Sequence, residues 1–263
     1  MNLAKLVQKR SNWVAPYVLF LVMFVVLPLL LIAVYAFRNP AGNFTLQNFV
    51  KFFTQSEALN TFIYSIGIAI ITTVLCILLG YPAAYILANA KLNRSKTMVM
   101  LFILPMWINV LMRSLATVAL FDFLHLPLGE GALIFGLVYD FLPFMIYPIY
   151  NTIQKIEGSY IEAARDLGAT NTQVFTHVIW PLSIPGIVSG IMMVFLPTIS
   201  TFAISEILTL NNKRLFGSII QDNMMMSDTM NYGAALSLIM LIIIAITSAV
   251  SGDDGNINEG GLI

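Results

Sequence analysis

Six long apolar runs divide the chain: Trp13–Ala36, Phe62–Leu87, Thr97–Leu120, Ala132–Thr152, Pro185–Ile207 and Tyr232–Val250. Each approaches or exceeds the roughly 20 helical residues needed to cross a hydrocarbon core of about 30 Å. The apolar positions run on continuously and do not alternate, which predicts spanning helices rather than barrel strands. Pro28, Pro82, Pro105, Pro143, Pro148 and Pro197 fall inside these runs, so kinked helices are expected. Two polar connections are long, Asn151–Ile184 after the fourth run and Leu208–Asn231 after the fifth. The predicted organisation is one membrane domain over residues 1–250, followed by an acidic, glycine-rich tail at 251–263.

The first run follows Lys5, Lys9 and Arg10, as a secretion signal would, but it is about 24 residues long. The apolar part of a signal peptide is roughly 7–15 residues, so the run reads as a retained span. Lysine and arginine set the direction. With the N-terminus inside, Lys5, Lys9, Arg10, Lys91, Arg94, Lys96, Lys155 and Arg165 are cytoplasmic; Arg38, Lys51, Lys213 and Arg214 lie outside. Both termini are therefore expected in the cytoplasm.

Composition sharpens this picture. Hydrophobic residues make up 59% of the chain and charged residues 10%, against about 45–50% and 25% in soluble proteins. The soluble globular class is excluded. Thirteen basic residues balance thirteen acidic ones, which leaves no basic field for nucleic acid. A single cysteine, Cys76, excludes a disulfide framework, and His125 and His177 lie far apart without ligand-like neighbours, so no metal site is expected.

Ionisable groups inside a membrane cost several kcal/mol and mark a path or a pair. Arg113, Asp140 and Glu206 are three such residues, and the expected topology puts all of them in the outer half of the bilayer. Asn109 and Arg113, four apart, are expected on one face of span three; Thr198, Phe202 and Glu206 are expected on one face of span five. Trp107 and Tyr139 are near in sequence and offer cation–π faces to an ammonium group. Two readings stand at this point. Trp107, Asn109, Arg113, Tyr139, Asp140 and Glu206 line a substrate path, or Arg113 pairs with Asp140 or Glu206 for structure alone while the aromatics pack.

The connection after span four reads Glu162-Ala163-Ala164-Arg165-Asp166-Leu167-Gly168, then nine residues, then Val178-Ile179-Trp180-Pro181. This resembles the EAA motif of ABC-importer permeases, with Val178 and Trp180 replacing the usual Ile and Leu. Residues Glu162–Leu167 form helix readily apart from Asp166, and Gly168 can end that helix in a left-handed cap. Small side chains at Ala163 and Ala164 permit close approach of another protein. The resemblance implies that Glu162, Ala163, Ala164, Asp166, Gly168 and Pro181 belong to a coupling segment that docks on an ATP-hydrolysing subunit. Pro185-Gly186-Ile-Val-Ser-Gly190 is read as the opening of span five, its small-xxx-small pattern suited to close helix packing.

Longer stretches extend the likeness. Leu104-Pro105-Met-Trp107-Ile-Asn109-Val-Leu-Met-Arg113, Gly136-Leu-Val-Tyr139-Asp-Phe-Leu142-Pro143-Phe144, Phe195-Leu-Pro197 on to Ser205-Glu206, and Tyr232-Gly-Ala-Ala-Leu-Ser237 resemble the B-type permeases of spermidine/putrescine ABC importers. The resemblance implies an all-α integral membrane fold of six transmembrane helices, the type I importer architecture, in a bacterial inner membrane. It further implies a C-type permease partner, two ATP-binding subunits and an external polyamine-binding protein. The chain has no G-x-x-x-x-G-K-[ST] loop, so it is expected to be a transport subunit without enzymatic activity or cofactor of its own. Such permeases commonly end in a basic tail, whereas Ser251–Ile263 is acidic. Ferric iron, a sulfate-like anion or another organic cation remains as alternative cargo. A secondary transporter would show internal repeats and midplane charges, and neither is evident.

Overall fold

Backbone hydrogen bonding in this chain is helical. The computed structural model describes residues 10–89 and 97–256, and no strand forms among them beyond an isolated bridge between Arg38 and Phe44. Among the described residues, five helices are long and apolar enough to cross a membrane: Pro16–Ala36, Ser56–Ala88, Glu130–Gln154, Asn171–Ser200 and Met230–Ala249. A sixth crossing is assembled from two segments, Met98–Trp107 and Val110–Phe123, bent by 101° at the break between them. Lys5, Lys9, Lys91, Arg94 and Lys96, which carry much of the expected inward charge, lie outside the described residues, as does the tail beyond Asn256.

Two compact units share the chain. Of the described residues, the first comprises 10–56 and 220–242. Its helices α1 (Arg10–Leu21) and α2 (Leu27–Ala36) are joined through a π turn at Val22–Val26. Pro28 has no N–H to return to Phe24, and the Leu27 amide reaches back five residues to Val22 instead. The end of α2 needs partners for its last carbonyls. Asn48, on α3 (Gln47–Thr54), donates Nδ2 to the carbonyls of Ala36 and Arg38, both at 2.9 Å. Asn231 donates to the Tyr35 carbonyl at 3.0 Å. Ala36, Ala234 and Ala235 are buried together against Ile32, Phe49 and Leu238, and the Lys51 ammonium sits 4.3 Å from the Tyr232 ring centre.

The second unit comprises, of the described residues, 57–89, 97–219 and 243–256. It holds α4 (Ser56–Ala88), α5 (Thr97–Ile103), α6 (Val110–Phe123), α7 (Glu130–Gln154), α8 (Gly158–Asp166), α9 (Asn171–Val174), α10 (Trp180–Ser200) and α11 (Ala203–Leu208). Helix α12 (Phe216–Met225) begins in it, and α13 (Met230–Asn256) ends in it. Helix α7 is the axis. One apolar cluster joins Met145, Ile146 and Ile149 to Cys76 and Tyr81 of α4 and to Ile187 and Val194 of α10. A second joins Leu133 and Leu137 to Ile68, Phe121, Ile204 and Leu208.

Gly186 and Gly190 face α7. A Cβ at Gly186 would lie 2.6 Å from Thr152 Oγ1 and 2.9 Å from the Pro148 carbonyl; one at Gly190 would lie 2.6 Å from Met145 Sδ. Lipid supplies no hydrophobic drive between helices, so close backbone approach and dispersion hold α7 to α10.

Three expected elements are corrected. Span three is not one continuous helix over Thr97–Leu120: Leu104–Trp107 tightens into a 3₁₀ turn, Ile108 is extended and Asn109 starts a new helix. Pro105 and the capping preference of Asn109 explain the interruption. Span five does not open at Pro185 or run to Ile207. Its helix starts at Asn171, passes a π turn at Phe175–Ile179 and ends at Ser200. Thr170 and Gln173 form a reciprocal capping box there, and the π turn precedes Pro181, whose missing N–H would leave the His177 carbonyl unpaired. The sixth helix runs on to Asn256, through residues assigned to the tail.

Adding a branched side chain at the α7–α10 contact should overpack it. Gly186→Val is expected to lose about 1–3 kcal/mol of stability, read as a lower melting temperature in detergent. Gly131→Ala, which meets nothing within 4 Å, is the matched control. Asn48→Ala removes the donor from the part-buried Ala36 carbonyl at the end of α2 and should cost about 1 kcal/mol, measured in the same assay.

Candidate functional site

The EAA segment folds as a short exposed helix. Helix α8 buries no residue, and Glu162, Ala163 and Asp166 are exposed while Ala164 is half-buried. Its end is a Schellman motif. Gly168 takes φ +83° and donates to the Arg165 carbonyl at 2.8 Å, and Ala169 donates to the Ala164 carbonyl at 3.0 Å. That turn throws Leu167 outward, where 89% of it is exposed. A cavity of about 290 Å³ beside it is lined by Ala164, Leu167, Gly168, Gln173, His177 and Val178. Pro181 stands apart, in the first turn of α10, so the two ends of the motif lie on different helices. A larger cavity of about 750 Å³, lined in part by Ile153, Gln154, Ile161, Arg165, Asn171 and Val174, was not foreseeable from spacing.

The membrane charges are brought together more selectively. Asn109 caps α6, accepting from the Leu111 amide at 2.8 Å. One turn on, Arg113 Nε lies 3.0 Å from Asp140 Oδ1, with both side chains buried. Arg113 Nη1 also donates to the Asp140 backbone carbonyl at 3.2 Å. The Nε–H is not directed at the carboxylate, so the contact is coulombic, and neither Asp140 carboxylate oxygen accepts a hydrogen bond from a described residue. The guanidinium carbon also stands 5.9 Å from the Tyr139 ring centre. The structure thus selects Asp140, not Glu206, as the partner of Arg113.

Asn109 and Arg113 do not share a face as expected: Asn109 is exposed at the break and Arg113 points inward. The Thr198–Phe202–Glu206 face does not exist either. Thr198 is buried and bonds the Val194 carbonyl, the helix ends at Ser200, and Glu206 lies half-buried on the separate α11. Trp107, at the break, is 87% exposed, and Tyr139 is 40% exposed.

One cluster had no sequence signal. Lys213 Nζ lies 3.0 Å from Glu130 Oε1, which also accepts from the Tyr64 hydroxyl at 3.3 Å. These three residues are too far apart in the chain for any spacing rule. Nearby, Leu210 and Asn211 both take positive φ, +52° and +61°.

Comparison with known proteins adds the family. Residues 77–252 match the family described as binding-protein-dependent transport system inner membrane component. The spermidine/putrescine transport system permease PotB of Haemophilus influenzae is 30% identical, with 92% of this chain and 93% of that protein covered. PotB of Escherichia coli K12 is 33% identical over 86% of this chain and 90% of that one. A PotB homolog of Mycoplasma genitalium is 27% identical over 78% and 76%. The fold is shared with the methionine ABC transporter MetNI in an inward-facing form, at TM-score 0.60 and 19% identity, covering 74% of this chain and 93% of that one. It is also shared with a bacterial alginate ABC importer, at TM-score 0.63 and 17% identity over 92% and 94%. The chain belongs to the binding-protein-dependent transport system inner membrane components: it is a multi-pass permease subunit of a bacterial ABC importer, a transport component rather than an enzyme.

Proposed function

We propose that this permease serves a polyamine importer, forms half of the translocation path, and couples to an ATPase through its EAA helix. The observation that carries the cargo is the likeness to spermidine/putrescine permeases over nearly the whole chain. Buried and half-buried carboxylates at Asp140 and Glu206, with exposed aromatic faces at Trp107 and Tyr139, suit a cation. In this reading the N-terminus is cytoplasmic, a second, C-type permease completes the path, one of two ATP-binding subunits docks at α8, and an external polyamine-binding protein delivers cargo.

The coupling reading rests on α8 itself. A helix that buries nothing, ends in a left-handed glycine and presents Leu167 fully outward is a poor connector but a good contact element. Glu162 and Asp166 supply charge on the exposed surface, and Ala163 leaves the backbone accessible. Nucleotide-dependent movement of an ATPase bound there would be transmitted through α7, at one end of the connection, and α10, at the other. ATP binding would favour an outward-facing state that receives cargo, and hydrolysis would return the path inward.

Glu162→Lys and Gly168→Pro are expected to leave the protein in the membrane while lowering uptake by roughly tenfold or more, within the range of typical coupling energies. Normal uptake by both variants would remove the docking role. Cells carrying the complete transporter should take up labelled spermidine or putrescine, and deletion of this chain should abolish it. Competition by iron, sulfate or amino acids in place of polyamines would reassign the cargo.

A further inference from the structure

We propose that Asp140 is an ammonium acceptor within the path, and that Arg113 is a resident counter-cation which cargo displaces and which returns when cargo leaves. This deepens the polyamine reading and rests on it.

The pair is a poor permanent clamp. Structural arginine–carboxylate pairs are commonly bidentate, with two N–H groups directed at the two oxygens. Here Nη1 is spent on the Asp140 backbone carbonyl, and Nε touches Oδ1 at 3.0 Å without a hydrogen bond. Asp140 is 1% exposed, yet among the described residues neither of its carboxylate oxygens has a donor. Buried polar atoms are ordinarily satisfied, and an unsatisfied one is costly. Arg113 therefore supplies charge to Asp140 but leaves its acceptor capacity unused. A primary ammonium, compact and carrying three donors, fits that capacity where the wider guanidinium does not.

The surroundings permit exchange. Arg113 stands in the first turn after the 101° break. Rotation of its side-chain torsions would withdraw the guanidinium while the Arg113 N–H stays bonded to the Asn109 carbonyl at 3.2 Å. Tyr139, adjacent to Asp140 in sequence and 40% exposed, already faces the guanidinium at 5.9 Å. Its ring gives a cation somewhere to rest while another occupies the carboxylate. Trp107, 87% exposed at the break, offers a second aromatic face on the accessible side. Because an uncompensated buried carboxylate is strongly disfavoured, Arg113 must return as the ammonium leaves. That return favours release of cargo and keeps Asp140 neutralised between transport events.

The test uses the assembled transporter, purified without its binding protein, and equilibrium binding of labelled spermidine. Arg113→Lys keeps the charge but gives up the guanidinium bond to the backbone; weakening the competitor should tighten spermidine binding by roughly threefold, the worth of one hydrogen bond. The double variant Arg113→Gln with Asp140→Asn has no unpaired charge and should assemble in normal amounts. Its spermidine binding should weaken by roughly tenfold or more. Unchanged binding in both variants, or a double variant that fails to assemble, would make the pair purely structural and overturn the proposal. Spermidine uptake by the unaltered transporter is measured in parallel. Its absence would remove the polyamine reading itself, whereas uptake together with equal binding across the variants would remove only the exchange site.

Discussion

In hydrocarbon there is no water to satisfy a backbone N–H or C=O, so every interruption of a spanning helix must find its partners within the protein. The architecture of this permease follows that constraint. Asn48 and Asn231 close the carbonyl end of α2. Asn109 caps α6 where the third span breaks. Thr170 and Gln173 cap the helix that leads into α10. Two π turns, at Val22–Val26 and Phe175–Ile179, each stand just before a proline that lacks its amide. Polar side chains thus serve the backbone at helix ends and interruptions.

The break in span three has consequences beyond its own hydrogen bonds. It turns Asn109 and Trp107 to the surface while sending Arg113 inward to Asp140. A straight helix would have kept Asn109 and Arg113 on one stripe. The same principle separates Glu206 from α10: the end of the helix at Ser200 moves that carboxylate onto α11, which packs by Ile204 and Leu208 against α7. Residues whose spacing puts them on one stripe in sequence are therefore distributed among distinct pieces of backbone.

Helix α7 joins the buried ion pair to α8. Near its middle it holds Tyr139 and Asp140; at its C-terminal end it leads into α8. Along the intervening turns it is packed against Gly186 and Gly190 of α10 with no room for a side chain. Contacts that close transmit displacement rather than absorb it. A movement imposed on α8 would reach the α7–α10 pair as a shift of whole helices.

Much of this was legible in the chain. Apolar runs of about 20 residues show the spans, because burial of backbone in lipid requires uninterrupted helix over that length. Glu162–Gly168 shows a helix with a glycine stop, because propensity and capping are local. Gly186 and Gly190 show a close contact, though not its partner. What only the tertiary structure decided depends on residues distant in sequence. The choice of Asp140 over Glu206 for Arg113 follows from where a break points a side chain. The Tyr64–Glu130–Lys213 cluster follows from three segments meeting. The start of the fifth helix at Asn171 rather than Pro185 follows from a π turn and a capping box overriding the proline-rich look of the segment. Local chemistry set the elements, and the need to satisfy backbone groups without water set where they bend and what they bring together.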